Sequence, residues 1–395
     1  MKNTYVIIGA SAAGIAAFNT IAYLDPSSTL IALTKEDTLY NTCLLASYLA
    51  RYKQEDEIQL VARKSKNAHI LCNTYVTALK RKERRVCLAS GEEIAYDKLL
   101  IATGSTAYVP NAFKEWQKNF QGIFTFYTLE DARALKKYAV EEKVQEAVVI
   151  GAGFTGLECA DALTQQGIHV KVIELRRDIL PGILPPLSAA ILTDILHKRG
   201  VQIYTQETVQ EIIHEGKKIK GVKLASEHII TASLVVYALG SRPTIALAEN
   251  ADIVVKKGIV TDMSLRTSDE HIYAAGDCAL INDRITRQPA VSSTWPDALR
   301  QGMMAAQAMV GKECSYEGVI KTYVSHLGGY PVLACGATSS YFEEQRDGNN
   351  YQVLFVDKDE HLVGFVLGGN RERAGCLKKA LEDRLSLSFI KETFL

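Results

Sequence analysis

The sequence predicts an α/β protein with two Rossmann-like dinucleotide-binding domains and a small α+β C-terminal domain. A strand, a glycine-rich turn, a helix and a second strand follow one another over residues 4–33, and the same order recurs over 147–174. Residues 313–395 carry a different pattern, in which short apolar strands precede one helix. The chain of 395 residues is long enough for three such domains.

The first copy opens with the apolar strand 5–8, turns through Gly9-Ala-Ser-Ala-Ala-Gly14 and continues as a helix over 15–23. Glycine at the first position permits the tight turn, and glycine at the last position lets the helix pack closely on the strand. The helix N-terminus then offers free N–H groups to a pyrophosphate. Ser11 replaces the usual middle glycine, which is a mild departure. The predicted nucleotide contacts are Gly9, Ser11, Ala13 and Gly14.

The second copy runs from the strand 147–150 through Gly151-Ala-Gly-Phe-Thr-Gly156 to a helix that we expect to extend through Gln165. One Gly-x-Gly-x-x-Gly sequence alone is weak evidence, because small residues are common at tight turns. Two copies, each placed between a strand and a helix, predict two bound dinucleotides. The predicted contacts in this copy are Gly151, Gly153, Phe154, Thr155 and Gly156.

The residues that close the second strand differ between the copies. Glu174 ends the strand in the second copy, where its carboxylate would accept a hydrogen bond from a ribose 2′-hydroxyl and repel a 2′-phosphate. This favours NADH, although Arg176 and Arg177 follow at once and leave NADPH as the alternative. Thr34 occupies the equivalent place in the first copy, with Glu36 two residues later. Glu36 is interpreted either as a ribose contact or as part of a solvated turn.

Composition and charge argue against several other classes of protein. Lys plus Arg and Asp plus Glu each number 45, so we expect neither a nucleic acid nor an anionic membrane surface as partner. No apolar run reaches the length of a membrane span, and the run 5–8 is expected to be a strand rather than part of a signal peptide. The eight cysteines form no Cys-x-x-Cys pair of a zinc site or dithiol. We therefore expect a protein of the reducing cytoplasm without a metal site.

Three further segments complete a recognisable set. Residues 96–105 and 234–243 are each an apolar strand that ends in a small-residue turn, and residues 267–277 form a strand that ends in Gly276-Asp277. In this order, and together with the two glycine-rich turns, they resemble the FAD-dependent pyridine nucleotide–disulfide oxidoreductase superfamily over roughly residues 4–310. The resemblance implies that the Asp277 carboxylate binds the ribitol of FAD.

The resemblance also implies FAD and NADH as cofactors and gives each domain a role. Residues 1–110 and 241–312 are the expected FAD-binding domain, which is interrupted by an NAD(P)-binding domain at 111–240. Residues 313–395 are the expected small C-terminal interface or acceptor domain, and a homodimer is compatible with the family. The further positions matched to cofactor contacts are Asn41, Thr42, Val76, Thr103, Gly104, Gly240 and Trp295.

The tail resembles the small C-terminal domain of NADH:rubredoxin reductases and of the flavin module of NADH nitrite reductases. We predict strands at 319–325, 330–335, 351–356 and 362–367, a hairpin turn at Asp357-Lys-Asp-Glu360 and a final helix from about Ala374. The tail is short beside the dimerisation domain of coenzyme A–disulfide reductases, which belong to the same branch of the superfamily.

Cys43 is the one cysteine for which a chemical role is predicted. The stretch Tyr40–Leu49 resembles rubredoxin and nitrite reductases, and Cys43 falls where coenzyme A–disulfide reductase and NADH peroxidase carry a redox thiol. Asn41 or Thr42 would cap a helix that places Cys43 in its first turn, where the helix dipole favours a thiolate. The alternative is a small buried apolar side chain. Ala12 stands where NADH peroxidases carry a histidine, which argues against peroxidase and four-electron oxidase activity.

Two residues of the second copy match positions that the family places near the nicotinamide. Phe154 corresponds to an aromatic gate over the flavin, and Glu158 corresponds to a carboxylate near the nicotinamide. The alternatives are a phenylalanine that packs a helix and an exposed glutamate. Trp295 begins a segment similar to the family's flavin-side helix, and it is interpreted either as a flavin neighbour or as a core residue.

Together these observations predict an FAD-dependent NAD(P)H oxidoreductase. The first hypothesis is that electrons pass from NADH through FAD to a small redox protein such as rubredoxin. The second is a reductase that uses Cys43 on coenzyme A disulfide or on another low-molecular-weight disulfide or persulfide. A third hypothesis, of another class, is a slow redox-sensing flavoprotein that acts through a partner.

Overall fold

The computed structural model describes residues 2–338 and 341–394 of the chain. They form two compact units. The first unit consists of Met1–Cys43, Glu55–Thr106 and Ser241–Ile320, and the second consists of Leu44–Gln54, Ala107–Gly240 and Lys321–Leu395. Each unit is therefore assembled from three separate segments of the chain.

The centre of the first unit is a parallel five-stranded sheet. Its strands, in spatial order, are β19 (Ile272–Ala274), β7 (Lys98–Ile101), β1 (Thr4–Ile8), β2 (Thr29–Leu33) and β3 (Ala68–Leu71). Helix α1 (Ala12–Leu24) connects β1 to β2 and packs against α8 (Trp295–Met309). The strands are near-continuous apolar runs because the strands of a parallel sheet are covered on both faces. The core of the unit lies along β1, β7 and α1.

Smaller elements surround this sheet. They are the antiparallel strands β4 (Val76–Lys80), β5 (Arg85–Leu88) and β6 (Glu93–Ala95), the pair β8 (Ser105–Ala107) and β17 (Ser241–Pro243), the strands β18 (Ile259–Val260), β20 (Ala279–Asn282) and β21 (Pro289–Ala290), the short helix α7 (Ala246–Glu249), and 3₁₀ turns at Thr42–Leu44 and Asp56–Ile58.

The second unit repeats the parallel architecture. Its sheet has the order β12 (Val201–Thr205), β11 (His169–Glu174), β10 (Glu146–Ile150), β16 (Leu234–Tyr237) and β9 (Ile123–Thr125). Helices α5 (Phe154–Thr164) and α6 (Pro186–Lys198) make the crossovers from β10 to β11 and from β11 to β12. The remaining elements outside the tail are α2 (Leu45–Leu49), α3 (Asn111–Asn119), α4 (Leu129–Glu141) and the antiparallel strands β13 (Val209–Glu215), β14 (Lys218–Leu224) and β15 (Ile229–Thr231).

The tail of the second unit is an antiparallel sheet with two helices. The strands lie in the order β22 (Thr322–Leu327), β23 (Tyr330–Gly336), β26 (Leu362–Gly368), β25 (Asn350–Val356) and β24 (Tyr341–Asp347). They are followed by α9 (Ala374–Glu382), which packs on β23 and β26, and by α10 (Leu387–Phe394). The hairpin turn expected at 357–360 is present, with Glu360 N–H donating to the Asp357 carbonyl at 3.1 Å.

The predicted fold class is confirmed, because two Rossmann-like parallel sheets and a separate α+β tail are present. Three details of the tail differ from the prediction. The strand expected at 319–325 begins at Thr322, and β24 and α10 were not predicted. Within residues 2–338 and 341–394, no helix is long and apolar enough to cross a membrane, and no group of three or more His, Cys, Asp or Glu side chains is arranged to hold a metal ion.

Candidate functional site: two dinucleotide sites

The first glycine-rich turn has no room for side chains at its two ends. Gly9 has a φ of +100°, and a Cβ there would lie 2.1 Å from the Ala102 carbonyl oxygen. A Cβ on Gly14 would lie 1.8 Å from the Gly9 carbonyl oxygen. Helix α1 therefore begins directly against the end of β1, with exposed Ser11 as its N-cap residue. The N–H groups of its first turn, which include that of Ala13, have no partner within the helix and suit a phosphate.

Two further parts of this site lie beside the turn. Thr34 is buried at the end of β2, and its Oγ1 accepts a hydrogen bond from Glu36 N–H at 3.2 Å. The carbonyl oxygen of Glu36 accepts from Asn73 N–H at 2.9 Å, three residues before Val76 opens β4. The structure thus brings Thr34 and Glu36 together at the carboxyl end of β2. Glu36 is partly buried, which favours ribose contact over the solvated turn.

The turns after β7 and β19 add polar groups at the same sheet edge, because the carboxyl ends of parallel strands share an edge. Thr103 Oγ1 donates to the Thr244 carbonyl oxygen at 2.7 Å, and the following Gly104 has a φ of +63°. Ser105 Oγ donates to Asp277 Oδ2 at 2.8 Å. Burial raises the pKa of the Asp277 carboxyl, and this hydrogen bond from Ser105 acts in the opposite direction.

These features fit FAD in the first unit. The closed positions Gly9 and Gly14 keep the turn tight and hold the N-terminus of α1 against the end of β1, where its N–H groups suit a pyrophosphate. Asp277 offers a carboxylate to the hydroxyl groups of a ribitol chain. The Thr244 hydroxyl is buried and has no hydrogen-bond partner among residues 2–338 and 341–394, so a polar group of a ligand would satisfy it.

A buried polar chain that sequence reasoning missed supports Gly276-Asp277. Gln301 Oε1 accepts from Gly276 N–H at 2.8 Å, and Gln301 Nε2 donates to Asp297 Oδ2 at 2.7 Å. Tyr316 donates its hydroxyl hydrogen to Asp297 Oδ1 at 2.6 Å. In the sequence, the sign of this network is that Asp297 and Gln301 are polar residues on an otherwise apolar face of α8. It ties the Gly276 turn to α8.

Trp295 and Gly240, both predicted cofactor contacts, lie at element boundaries. Trp295 is the first residue of α8 and is partly buried against the core of the first unit, so both of its interpretations stand. Gly240 is exposed with a φ of +90°, and its carbonyl oxygen accepts from Tyr108 N–H at 2.9 Å.

The second glycine-rich turn reproduces the geometry of the first. Gly151 has a φ of +107°, and a Cβ there would lie 2.4 Å from the Ala238 carbonyl oxygen. A Cβ on Gly156 would lie 2.0 Å from the Gly151 carbonyl oxygen. A Cβ on Gly153, the N-cap residue of α5, would meet no atom within 4 Å. Gly153 and the exposed Thr155 therefore border open space at a helix N-terminus, where a phosphate fits.

Glu174 lies at the carboxyl end of β11, buried beside this turn. Its Oε2 accepts from Ala152 N–H and its Oε1 accepts from Arg176 N–H, both at 2.8 Å. Each carboxylate oxygen retains a second lone pair for a ribose hydroxyl. Glu207, which sequence reasoning missed, donates its N–H to the Glu174 carbonyl oxygen at 3.0 Å. Its Oε2 is buried and has no partner among the described residues. Two carboxylates at these strand ends favour NADH over NADPH.

Phe154 and Glu158 lie on one face of α5, next to the tail sheet. The Phe154 ring stacks on Tyr323, with ring centroids 5.7 Å apart and planes inclined by 22°. Ser325 Oγ donates to Glu158 Oε1 at 2.6 Å. Burial raises the pKa of Glu158, and the Ser325 hydrogen bond opposes that rise. Glu158 is therefore not an exposed surface residue. Its partner Ser325 and the Phe154 partner Tyr323 come from the tail, and neither was predicted as a site residue.

Cys43 is exposed, which excludes the alternative of a buried apolar side chain. The predicted helical environment is wrong, because Cys43 lies in the 3₁₀ turn Thr42–Leu44 and the five-residue helix α2 begins only at Leu45. Asn41 makes the expected cap locally, as its Oδ1 accepts from Cys43 N–H at 3.0 Å. Exposed Thr42 makes no cap to α2, whose N-cap is Leu44. One short turn supplies less helix dipole than a long helix would.

Three of the remaining cysteines show a different chemical character. Cys159, Cys278 and Cys335 are buried, and burial raises the pKa of each thiol. A raised pKa keeps a thiol protonated and therefore unreactive. Burial is consistent with a packing role for these three cysteines, for which the sequence predicts no chemical role.

Comparison with known proteins agrees with this geometry. Residues 3–310 match the family described as pyridine nucleotide-disulphide oxidoreductase. The chain is 30% identical over 345 residues to an NADH oxidase of Methanocaldococcus jannaschii, which covers 85% of this chain and 76% of that protein. It is 28% identical over 379 residues to a rubredoxin-NAD(+) reductase of Alcanivorax borkumensis, with 92% and 94% covered. The solved structure of a NAD-dependent persulfide reductase from A. fulgidus superposes with a TM-score of 0.91 at 25% identity, covering 99% of this chain and 79% of that one.

Proposed function

Because the chain belongs to the pyridine nucleotide-disulphide oxidoreductase family, we propose that it passes electrons from NADH through FAD to a small redox protein such as rubredoxin. The chain is an FAD-dependent NAD(P)H oxidoreductase. The observation that carries the proposal is the pair of closed glycine turns, one on each parallel sheet. Such a pair suits an enzyme that holds two dinucleotides at once.

FAD is assigned to the first unit. The turn Gly9–Gly14 would hold its pyrophosphate, Thr34 and Glu36 lie where its adenosine ribose would contact the sheet edge, and Asp277 would accept hydrogen bonds from its ribitol. Bound FAD accepts two electrons as a hydride and can release them one at a time, which links a nicotinamide to a one-electron acceptor. The residues around FAD would orient it and satisfy its polar groups. The hydrogen bonds from Gly276 to Gln301 and from Gln301 to Asp297 keep the Gly276 turn in place.

NADH is assigned to the second unit. The turn Gly151–Gly156 would hold the pyrophosphate, and Glu174, fixed by two backbone N–H groups, would accept from the adenosine ribose. Glu207 beside it adds negative charge where NADPH carries its extra phosphate. Phe154 and Glu158 would face the nicotinamide. By this assignment residues 1–110 with 241–312 form the FAD-binding domain and 111–240 the NAD-binding domain.

The choice of a protein acceptor follows from the tail. The match to the Alcanivorax borkumensis rubredoxin-NAD(+) reductase extends over 92% of this chain, so it includes most of the residues beyond the nucleotide-binding domains. We assign 313–395 as the interface with the acceptor, or with a second copy of the chain. The eight cysteines, all of them free, and NADH as reductant favour the reducing cytoplasm as the place of action.

A second candidate function uses Cys43. Its exposure leaves the thiol accessible to a small disulfide or persulfide, and the similar solved structure from A. fulgidus is described as a NAD-dependent persulfide reductase. In this reaction NADH and one proton would convert a disulfide into two thiols and NAD⁺. The short 3₁₀ turn at Cys43 makes this candidate the weaker one.

An acceptor panel tests both candidates. The FAD-loaded protein is given NADH or NADPH with rubredoxin, coenzyme A disulfide, oxygen or a quinone. The Cys43→Ser variant is compared with Cys376→Ser, which alters a thiol that is only partly exposed. We expect rubredoxin to be reduced fastest, with Cys43→Ser unchanged. Disulfide reduction that disappears in Cys43→Ser alone would establish the second candidate. Slow NADH consumption with every acceptor would instead favour a redox sensor that acts through a partner.

A further inference from the structure

The first strand of the tail sheet contacts the helix that follows the second glycine-rich turn. Tyr323 and Ser325 of β22 reach Phe154 and Glu158 of α5, by ring stacking at 5.7 Å and by a hydrogen bond of 2.6 Å. Ser325 is 6% exposed, so solvent does not compete for its hydroxyl. Both contacts lie within the second unit.

The spacing of the two contacts explains why they occur as a pair. Residues two apart on a strand lie on the same face, at a separation of about 6.6 Å. Residues four apart on a helix also share a face, and they rise by about 6 Å. Tyr323 with Ser325 and Phe154 with Glu158 are therefore spaced alike. The alternate residues Val324 and His326 are exposed, so the strand turns its two contact residues towards α5.

We propose that Ser325 and Tyr323 are positioning residues for hydride transfer, because they fix the Glu158 carboxylate and the Phe154 ring at the nicotinamide end of the second nucleotide site. This inference rests on the proposed function. The tail would then act in the reductive half of the reaction, besides any contact with the acceptor.

The positive charge that develops on the nicotinamide ring explains why the position of the Glu158 carboxylate matters. A C–H bond of the NADH nicotinamide breaks, and both of its electrons leave with the hydrogen to the bound FAD. The nicotinamide ring, neutral in NADH, becomes positive in NAD⁺, and one proton from solvent completes the reduction of the flavin. A carboxylate held near the ring stabilises that developing positive charge. The Ser325 hydrogen bond favours the charged carboxylate against the burial that disfavours it.

The test measures anaerobic flavin reduction by NADH in rapid-mixing experiments, together with binding of NAD⁺ and of ADP-ribose to the FAD-loaded protein by calorimetry. ADP-ribose lacks the nicotinamide, so it reports only on the rest of the site. For Ser325→Ala we expect the limiting reduction rate to fall roughly tenfold, as for loss of one hydrogen bond to a charged group. NAD⁺ binding should weaken relative to ADP-ribose, whose affinity should stay within about twofold. Ser325→Thr should restore both values, because it keeps the hydroxyl.

Two further variants separate positioning from folding. Ser188→Ala removes another buried serine–glutamate hydrogen bond of the same unit, from Ser188 Oγ to Glu344 Oε1 at 3.2 Å, and it should leave the reduction rate unchanged. In a Glu158→Gln background, Ser325→Ala should lower the rate by less than about twofold, because the residue acts through Glu158.

Three results would overturn the inference. These are an unchanged reduction rate in Ser325→Ala, a parallel loss of ADP-ribose binding, and a full tenfold effect that persists in Glu158→Gln. Wild-type protein that NADH cannot reduce would contradict the proposed function instead. The ratio of NAD⁺ to ADP-ribose affinity would still decide whether Ser325 positions the nicotinamide end of the site.

Discussion

Replacement of Gly156 by alanine should damage the nicotinamide nucleotide site and leave the flavin site intact. The added Cβ would lie 2.0 Å from the Gly151 carbonyl oxygen, whereas real Cβ atoms keep at least 3.0 Å from other atoms. The start of α5 must therefore retreat from the turn by about 1 Å, the difference of those two distances. The Ala238 Cβ, 3.2 Å from the same position, is a further close contact that the added Cβ would make.

The size of the effect follows from overpacking. An inserted methyl group that forces a backbone shift costs about 1–3 kcal/mol. For a unit of this size each kcal/mol lowers the melting temperature by roughly 2–4 °C. The same retreat moves the first N–H groups of α5 away from the pyrophosphate, so we expect the affinity for NADH to fall by at least about tenfold.

The assay compares Gly156→Ala with Gly375→Ala by thermal unfolding, by calorimetric titration with ADP-ribose and by the flavin content of the purified protein. Gly375 lies in α9, and a Cβ there meets no atom within 4 Å. Its replacement should stabilise the protein by about 0.5–1 kcal/mol through helix propensity. FAD should remain bound in both variants. If Gly156→Ala binds ADP-ribose as tightly as wild type, the argument from close backbone approach is refuted.

Three further predictions concern single side chains. Glu174→Gln keeps an oxygen for Ala152 N–H but removes a charge. Since a carboxylate opposes a nearby phosphate by about 1–4 kcal/mol, the ratio of kcat/KM for NADH over NADPH should fall roughly tenfold. An unchanged ratio would mean that residues other than Glu174 set the preference for NADH. Because burial raises the pKa of Glu158, the folded protein holds that proton more tightly than the unfolded chain, so this group favours folding at low pH and the benefit is lost as pH rises through the folded pKa. Glu158→Gln should therefore melt above wild type at pH 8, with a gap that narrows towards about pH 4, and a gap independent of pH would contradict this. Tyr316→Phe leaves a buried Asp297 oxygen without its 2.6 Å donor and should lower the free energy of unfolding in urea by about 1.5–3 kcal/mol. Tyr351 has a buried hydroxyl without a partner among the described residues, so Tyr351→Phe should lower it little. Equal losses of stability would refute the role of the Tyr316–Asp297–Gln301 network.

Local patterns in the sequence predicted both parallel sheets and both glycine-rich turns. Those features depend on neighbouring residues, because a turn and the strand before it are adjacent in the chain. Glycine at Gly9 and Gly151 is required by a positive φ and by contact with a backbone carbonyl, so its spacing is a reliable signal.

Long-range contacts and weakly patterned elements were harder to predict. Ser325 and Glu158 are 167 residues apart in the chain, and nothing in either segment indicates the other. Strand β24 contains Glu343-Glu344-Gln345-Arg346-Asp347, a polar run that gives no apolar alternation. It lies at the edge of the tail sheet, next to β25, and charged residues are tolerated on an edge strand. The 3₁₀ turn at Cys43 was mistaken for a helix start, because Asn41 caps either structure with the same hydrogen bond.

The segmented second unit has a consequence for protein synthesis. Its α5 receives Tyr323 and Ser325 from a strand that begins 82 residues after Gly240 (322 − 240). At about 5–20 residues per second, the segment 241–327, which ends with β22, takes roughly 4–17 s to synthesise. During that interval residues 107–240 exist without β22, so the Glu158 face of α5 lacks its cover. A chaperone that binds nascent chains would have access to this face of α5 during that interval. Slower translation after residue 240 should lengthen the interval.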